Sequence, residues 1–278
     1  MVIFYVTLSG SRGFPKRYIE NVLVSAGSLW STQRGKFVRR TPPAHTRFFL
    51  DSGGFTCLNR FGDYPWSLED YLSLIWHYKP DYVATMDYPC EPEINRRIYL
   101  GSSEQSKALE TNKERIRATV DNATWLLEQD VPAPTTVVPV IQGYTLEEYL
   151  SCIDLYERRG VFDIVDYVAI GSMCRRGAEK EIERLVVALT DYVWSTHSDV
   201  RFHLFGLKLS ALKRKAIFDR THSVDSAAWS LNPGRGGLYA QGEDPATNGW
   251  LDLYLKKISH VCFANKMQST LLFYGGGR

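Results

Sequence analysis

Three aspartates offer the most chemistry in this sequence, because each stands where a short segment of strand-forming residues ends. Asp51 follows the apolar run 48–50, Asp87 follows the segment 81–86, and Asp225 lies in the last such segment of the chain. Carboxylates can serve as general acids and bases, as nucleophiles at the C1 carbon of a sugar, or as metal ligands. Each could instead cap a helix, but that explanation weakens when three acids share one position.

Other residues suited to ligand binding stand at equivalent positions. They are Ser52, Gly53, Gly54 and Phe55 after Asp51, then Gln142 with Gly143, Gly171 with Ser172, and Phe205 before Gly206. Glycines let the backbone turn sharply or approach a ligand closely, and an amide offers both a donor and an acceptor. This set is therefore a candidate binding site beside the aspartates, whether the acids bind a metal, act on a sugar or cap helices.

The segments that end in these residues alternate with helical patterns. Predicted strands cover 2–8, 22–25, 48–50, 81–86, 135–141, 166–170, 202–205 and 223–226, the second being ambiguous between a strand and a helix end. Predicted helices cover 68–78, 104–129, 146–159, 178–194, 209–218 and 250–266. Such alternation indicates an α/β fold with a parallel sheet, and eight strands are the number that closes a barrel. We predict one compact (β/α)8 barrel domain over residues 1–278, with its strand ends facing one pocket.

The composition is that of a globular protein, with 44% hydrophobic residues, 23% charged residues and a formal net charge of +2. It contains no run of about 20 apolar residues that would predict a membrane span. The apolar start is typical of a first strand rather than a signal peptide. Five scattered cysteines without a Cys-x-x-Cys pair favour reduced thiols and a cytoplasmic location.

Basic residues cluster in two segments that flank the strands of Asp51 and Asp225. They are Arg34, Lys36, Arg39, Arg40 and Arg47 in the first segment, and Lys208, Lys213, Arg214 and Lys215 in the second. Such clusters are often only solvated loops. Their placement beside the predicted pocket makes them candidates for contacts with the phosphates of a nucleic acid, whose binding would then weaken with salt.

Several of these segments resemble a known family when they are taken in order. Residues 51–55, Asp-Ser-Gly-Gly-Phe, are similar to the DSGG(F/Y)Q motif of the tRNA-guanine transglycosylases. Similar segments follow at 86–87, 140–143 (Val-Ile-Gln-Gly), 168–172, 203–207 and 223–226. Each segment is short, but the ordered set spans residues 46 to 236. The resemblance implies a TIM barrel that exchanges guanine in a polynucleotide for a 7-deazaguanine.

The resemblance also implies roles for individual residues. Asp225 would be the nucleophile at C1′, and Asp51 the general acid and base for the departing and arriving bases. Phe55 would stack on the base, while Asp87 and Gln142, with the backbone at Gly171 and Ser172, would read its edge. The other members of the binding set would complete the pocket: Ser52, Gly53, Gly54, Gly143 and Phe205. No cofactor is implied.

The sequence departs from the tRNA enzymes in ways that bear on the substrate. It has no Cys-x-Cys-x-x-Cys cluster for structural zinc, Cys262 is the only cysteine after Asp225, and Thr56 stands where a glutamine is expected. We therefore expect no metal. These differences resemble the DpdA proteins of phages and bacterial genomic islands, which implies DNA as the partner and a base such as preQ0 (7-cyano-7-deazaguanine). A phage-encoded protein would act in the host cytoplasm.

Three other functions stay open from the sequence. The first is the same exchange on tRNA, and the second is a non-catalytic barrel that binds nucleic acid or supports an active partner. The third is a retaining glycosidase, which would release free sugar instead of leaving the polymer intact. The sequence also leaves open a homodimer or an accessory protein.

Overall fold

The computed structural model describes residues 2–8, 14, 17–94, 109, 111–174, 176–228 and 250–274, with side chains of the last helix described from 251 to 265. The glycine-rich segment 229–249 and residues 104–108 of a predicted helix lie outside the described residues. No helix among the described residues is long and apolar enough to cross a membrane.

The centre of the fold is a parallel sheet that nearly closes on itself. Its strands are β1 (Ile3–Leu8), β2 (Asn21–Ser25), β5 (Arg47–Asp51), β6 (Tyr82–Ala84), β7 (Thr136–Val138), β8 (Val140–Ile141), β9 (Tyr167–Ile170), β10 (Arg201–Leu204) and β11 (Ser223–Ser226). The order β7-β6-β5-β2-β1-β11-β10-β9-β8 follows the chain around the barrel. Two short strands outside it, β3 (Trp30–Ser31) and β4 (Lys36–Phe37), form an antiparallel hairpin.

Pro139 explains why nine strands occupy eight positions. It separates β7 from β8, because proline has no N–H to give to a sheet ladder. Its carbonyl still accepts from the amide of Ala169 at 2.8 Å, and that of Val138 accepts from the amide of Thr85 at 3.1 Å. The two pieces therefore continue one strand position, and the predicted (β/α)8 barrel is confirmed.

Helices follow the strands around the outside of the barrel. The α-helices are Gly54–Phe61, Leu68–Tyr78, Asn112–Leu127, Leu146–Arg158, Glu179–Trp194, Leu209–Leu212, Lys215–Phe218 and Trp250–Tyr274, with 3-10 turns at Ala26–Ser28 and Val161–Asp163. Capping boxes start three of them, at Ser67, Thr111 and Thr145, where an acid three residues on bonds back to the cap. Such caps satisfy the first amides of a helix and fix where it begins.

The element boundaries correct several predictions. The predicted strand over 22–25 is confirmed, whereas the segment predicted as one helix over 209–218 is two short helices. The strand predicted over 81–86 ends at Ala84, so Asp87 lies in the loop that follows. The extent of a single domain over 1–278 stays a prediction.

The barrel interior is filled with side chains, so ligands must bind at its mouth. Eight buried residues from successive strands form the interior cluster: Tyr5, Leu23, Phe49, Ala84, Val138, Val140, Tyr167 and Ala169. Aromatic rings contact each other edge to face within it, with Tyr5 and Phe49 centroids 5.5 Å apart. His203 packs on Phe49 at 5.0 Å and is fully buried. This layer forms the floor beneath the strand ends.

Candidate active site

The three aspartates meet at the carboxyl end of the barrel. Asp51 is the last residue of β5, Asp225 is the third residue of β11, and Asp87 lies three residues beyond β6. All of these strands run in the same direction. Their ends therefore open at one mouth, where barrels of this kind carry their chemistry.

Asp225 is held by donors from the two neighbouring strand positions. Its Oδ2 accepts from the hydroxyl of Thr7, at the end of β1, at 2.5 Å. Its Oδ1 accepts from the backbone amide of Gly206, after β10, at 2.6 Å. The residue is only 5% exposed. These donors orient a carboxylate while leaving further lone pairs on both oxygens.

His203 lies directly beneath Asp225. Its Nε2 is 3.4 Å from Asp225 Oδ1, and its Nδ1 is 2.6 Å from the hydroxyl of Ser223. That hydroxyl is also 2.5 Å from the hydroxyl of Tyr167. The sequence indicated His203 as a packed residue, which the burial confirms, but it did not reveal this contact with the candidate nucleophile.

Asp51 differs from Asp225 in its electrostatic surroundings. Burial and the negative charges of Asp87 and Asp225 raise its pKa to about 8, although hydrogen bonds from Ser25 and the Gly53 amide oppose the rise. The Gly53 amide lies 3.2 Å from Asp51 Oδ2. A carboxyl group with such a pKa holds its proton at neutral pH, which suits a general acid.

The sequence after Asp51 forms the link between two of the acids. The Ser52 hydroxyl donates to Asp87 Oδ1 at 2.6 Å. Gly53 has a left-handed φ of 80°, and a helix begins at once with Gly54. A Cβ on Gly54 would collide with the backbone oxygen of Asp87 and lie 2.6 Å from the Tyr64 hydroxyl. The Ser-Gly-Gly sequence is therefore required by the close approach of this loop to the Asp87 loop.

Asp87, like Asp225, accepts two short hydrogen bonds through its carboxyl group. Its Oδ1 accepts from Ser52, and its Oδ2 accepts from Gln142 Nε2 at 2.5 Å. Burial raises its pKa, while these two hydrogen bonds act in the opposite direction. The Tyr64 hydroxyl donates to the backbone oxygen of Asp87 at 2.8 Å and lies 3.0 Å from Ser52 Oγ. Asp87 is thus a rigid, polar wall of the pocket.

Gln142 continues this chain of hydrogen bonds to the loop after β9. Its Oε1 lies 2.7 Å from the hydroxyl of Ser172, which lies 2.9 Å from Glu91 Oε2. A Cβ on Gly171 would collide with the side-chain amide of Gln142, so a larger residue there would displace that amide. Gly143 likewise leaves room for the helix that begins at Leu146, since its Cβ would lie 2.6 Å from the Tyr149 amide.

Two predicted aromatic residues also lie at this end of the barrel. Phe55 is partly exposed in the first turn of the helix Gly54–Phe61. Phe205 is partly exposed after β10 and contacts His203, with centroids 4.5 Å apart. Both offer ring surface near the aspartates, where a flat base could stack.

The predicted basic residues differ in their position relative to the site. Arg34 and Lys36, exposed on the β3–β4 hairpin, and Arg39, also exposed, follow β2. Lys208, exposed after β10, donates to the backbone oxygen of Arg176 at 2.8 Å. These residues follow the carboxyl ends of their strands. Arg34, Lys36 and Lys208 are therefore on the side of the site, whereas Arg39 lies near His77 and Tyr78, at the end of the helix that leads into the amino end of β6.

A polar cleft of about 530 Å³ lies between the hairpin and the helix Gly54–Phe61. Arg40 and Arg60 line it, together with Trp30, Ser28 and Thr56. Ser25, the hydrogen-bond partner of Asp51, lies at its wall. Arg60 was not predicted, because it is a lone arginine on a helix, and only the fold places it opposite Arg40.

The structure does not bring the other predicted basic residues to the site. Arg47 opens β5 at the opposite end of the barrel, where it donates to Asn21 Oδ1 at 3.0 Å. Arg214 forms an ion pair with Glu183. Lys215 pairs with Asp219 at 2.6 Å. Lys213 is exposed between the short helices Leu209–Leu212 and Lys215–Phe218. Arg47, Arg214 and Lys215 therefore do not belong to the candidate surface.

The described residues include no group of three or more His, Cys, Asp or Glu side chains arranged to hold a metal ion. The polar residues at the mouth instead bond to each other in the linked set Ser52, Asp87, Gln142, Ser172 and Glu91.

The fold and site define a (β/α)8 barrel with three carboxyl groups in distinct environments at the carboxyl end of its strands. A family model described as DpdA, DeoxyPurine in DNA protein A, matches residues 22–248, more than half of the chain. The chain therefore belongs to the DpdA family, as its motifs predict. Membership implies, at the level of the family, DNA modification by guanine transglycosylation. No curated protein matches the chain significantly.

Proposed function

We propose that this protein exchanges guanine in DNA for a 7-deazaguanine base such as preQ0, through a covalent aspartyl-nucleotide intermediate. The observation that carries the proposal is the contrast between Asp225 and Asp51 at one mouth of a DpdA-family chain. Asp225 is oriented by two donors, whereas the pKa of Asp51 is raised to about 8. Two carboxyl groups placed in different surroundings are the usual basis for a nucleophile beside a general acid.

In the first step, a carboxylate oxygen of Asp225 attacks C1′ of the target nucleotide. The bond between C1′ and the guanine nitrogen breaks, and its electron pair leaves with the base. Asp51 gives its proton to the departing guanine, which leaves as a neutral molecule. The nucleotide is then joined to Asp225 as an ester.

In the second step, Asp51 takes a proton from the incoming 7-deazaguanine. The freed nitrogen attacks C1′ and displaces Asp225, so the carboxylate is restored and Asp51 is ready for another cycle. Two displacements at C1′ retain the original configuration. A closed pocket favours the base over water as the second nucleophile.

Base recognition falls to the linked polar set and the aromatic rings. Guanine presents an N1–H and an amino group side by side, and one carboxylate can accept from both. Asp87 is suited to this task, because Ser52 and Gln142 fix its orientation. Gln142 and the backbone at Gly171 and Ser172 would form hydrogen bonds with the other edge of the base. Phe55 and Phe205 would stack, while Gly53, Gly54 and Gly143 leave the space that the base and its loops need.

The DNA would approach along the basic side of the mouth. A base in a duplex cannot reach the aspartates, so the target must be flipped out or single-stranded. Arg34, Lys36 and Arg40 on one side, and Lys208 on the other, are suited to contact its phosphates. Arg60, across the cleft from Arg40, joins this set.

Exchange of labelled guanine into DNA and into tRNA, assayed in parallel, tests this proposal. We expect label to enter DNA only, and we expect excess preQ0 to suppress its entry. Label in tRNA only would keep the chemistry and overturn the choice of substrate. Release of free sugar would indicate hydrolysis, and label in neither polymer, with no sugar released, would refute exchange by this chain alone.

A further inference from the structure

The hydroxyl of Ser172 makes three polar contacts, and together they restrict which neighbouring group can carry a proton. It lies 3.0 Å from the amide nitrogen of Cys90, 2.9 Å from Glu91 Oε2 and 2.7 Å from Gln142 Oε1. A hydroxyl has one proton to donate and two lone pairs to accept with. The backbone N–H of Cys90 can only donate, so it occupies one lone pair of the Ser172 oxygen. One proton and one lone pair remain for Glu91 and Gln142.

The protonation state of Glu91 decides whether these contacts can all be hydrogen bonds. An ionised Glu91 and the Gln142 oxygen would both be acceptors, and Ser172 could donate to only one of them. A protonated Glu91 can donate to Ser172, which then donates to Gln142. All three contacts become hydrogen bonds, and Gln142 is left with its amino group directed at Asp87, 2.5 Å away.

The opposite arrangement moves the proton to the other end of the chain. If the Gln142 amide turned over, its amino group would donate to Ser172, and Ser172 to an ionised Glu91. The amide oxygen would then face Asp87, which would have to carry the proton. The chain of Glu91, Ser172, Gln142 and Asp87 therefore has two self-consistent states that differ in which carboxyl group is protonated.

The surrounding donors favour the first state. Asp87 receives strong hydrogen bonds from Ser52 and Gln142, which stabilise a carboxylate. Glu91, 3% exposed, accepts from its own backbone amide and, beside Ser172, from the weak thiol donor Cys174, whose Sγ lies 3.8 Å from Oε1. Burial, the largest effect, and the charge of Asp87 raise the pKa of Glu91. Other titratable or charged groups around this cluster are Cys90, Arg115, Tyr149 and Arg176.

We propose that Glu91 is a positioning residue that holds a proton and thereby keeps Gln142 oriented as a donor and Asp87 ionised for reading the base. The inference rests on the proposed function for its link to base recognition. An ionised Asp87 can accept from both N1–H and the amino group of guanine. A protonated Asp87 would present one oxygen as a donor and lose that match.

Three variants test the proposal by steady-state exchange. Glu91→Gln keeps a neutral donor toward Ser172, so its KM for the incoming base should stay within about threefold of the wild-type value. Glu91→Leu removes the donor and should raise that KM about tenfold, the usual effect of one lost buried hydrogen bond, with a smaller change in kcat. The exposed Glu93→Gln is the matched control. In the wild type and in Glu93→Gln, KM should rise at high pH as Glu91 ionises, and Glu91→Gln should remove this rise.

A tenfold rise of KM in folded Glu91→Gln, equal to that in Glu91→Leu, would overturn the proposal, because it would mean that the anion is needed. Carboxyl 13C NMR of glutamate-labelled protein without any base provides a separate test, with the Glu91 signal assigned by its loss in Glu91→Gln. An acid-form shift at pH 7 is expected, and a carboxylate shift would refute the inference. If the wild type exchanges no base, the proposed function fails, yet the NMR result still decides the state of Glu91.

Discussion

The hydrogen bond from Ser25 to Asp51 gives a prediction with a definite sign. This bond stabilises the ionised form of Asp51 and so lowers its pKa, whereas burial and the charges of Asp87 and Asp225 raise the pKa to about 8. Removing the hydroxyl in Ser25→Ala should therefore raise the pKa further. A hydrogen bond to a charged group contributes about 1.5 kcal/mol or more, which corresponds to about one pH unit.

The pH dependence of exchange provides the assay. Asp51 must be protonated to release guanine, so the rate should fall above about pH 8 in the wild type. In Ser25→Ala this fall should begin about one pH unit higher. Ser28→Ala is the matched control, because the Ser28 hydroxyl donates to the backbone oxygen of Ser25 at 2.7 Å instead of to the aspartate. Its profile should match that of the wild type.

Two results would refute this reasoning. If the fall in rate stays at the same pH in Ser25→Ala, Ser25 does not control the proton on Asp51. If it moves to lower pH, the sign of the effect is wrong. A carboxyl 13C titration of Asp51 in both variants would show whether the rate and the ionisation refer to the same group.

Three further predictions concern stability, the loop contact and DNA binding. Because the native pKa of Asp51 lies above its ordinary value of 3.8, the folded state alone holds the proton between about pH 4 and pH 8. As the pH rises through this range, Asp51 should lower the free energy of unfolding by up to about 1.4 kcal/mol per pH unit. The pKa values of Asp87 and Glu91 are raised as well, so denaturant titrations should find a smaller slope in Asp51→Asn than in the wild type; equal slopes would contradict this prediction. Gly54→Ala should lower the thermal midpoint and raise the KM for the base, since its Cβ would collide with Asp87, and an unchanged midpoint would exclude the collision. Arg40→Ala should weaken DNA binding and reduce its salt slope by about one, whereas Arg47→Ala should change neither; equal effects of the two would remove the cleft from the DNA path.

The barrel and the main site residues could be predicted because both depend on local pattern. Strand-forming segments and helices alternate along the chain, and a parallel sheet brings the ends of such strands to one side. Asp51, Asp87 and Asp225 could therefore be placed together without knowledge of any side-chain contact. The Ser-Gly-Gly sequence after Asp51 also indicated a tight loop, and the structure supplies its cause in the nearby Asp87 backbone.

The partners of these acids could not be predicted, because they come from distant parts of the chain. Thr7 donates to Asp225 across 218 residues of sequence, and a threonine at a strand end has no special signal. Clusters of basic residues are also poor predictors of a binding surface, since the sequence does not show which acidic residues they contact in the fold. Arg214 pairs with Glu183 on another helix, and Arg47 was assigned to the site only because it is close to Asp51 in the chain.

Mass spectrometry can show whether Asp225 becomes covalently joined to the DNA. The protein would be incubated with guanine-containing DNA and no incoming base, denatured, digested and searched for a nucleotide-bearing peptide. We expect a nucleotide on Asp225 in the wild type, neither an adduct nor exchange in Asp225→Ala, and slower formation of the adduct on Asp225 in Asp51→Asn. A nucleotide on Asp51, or full exchange by Asp225→Ala, would contradict this expectation.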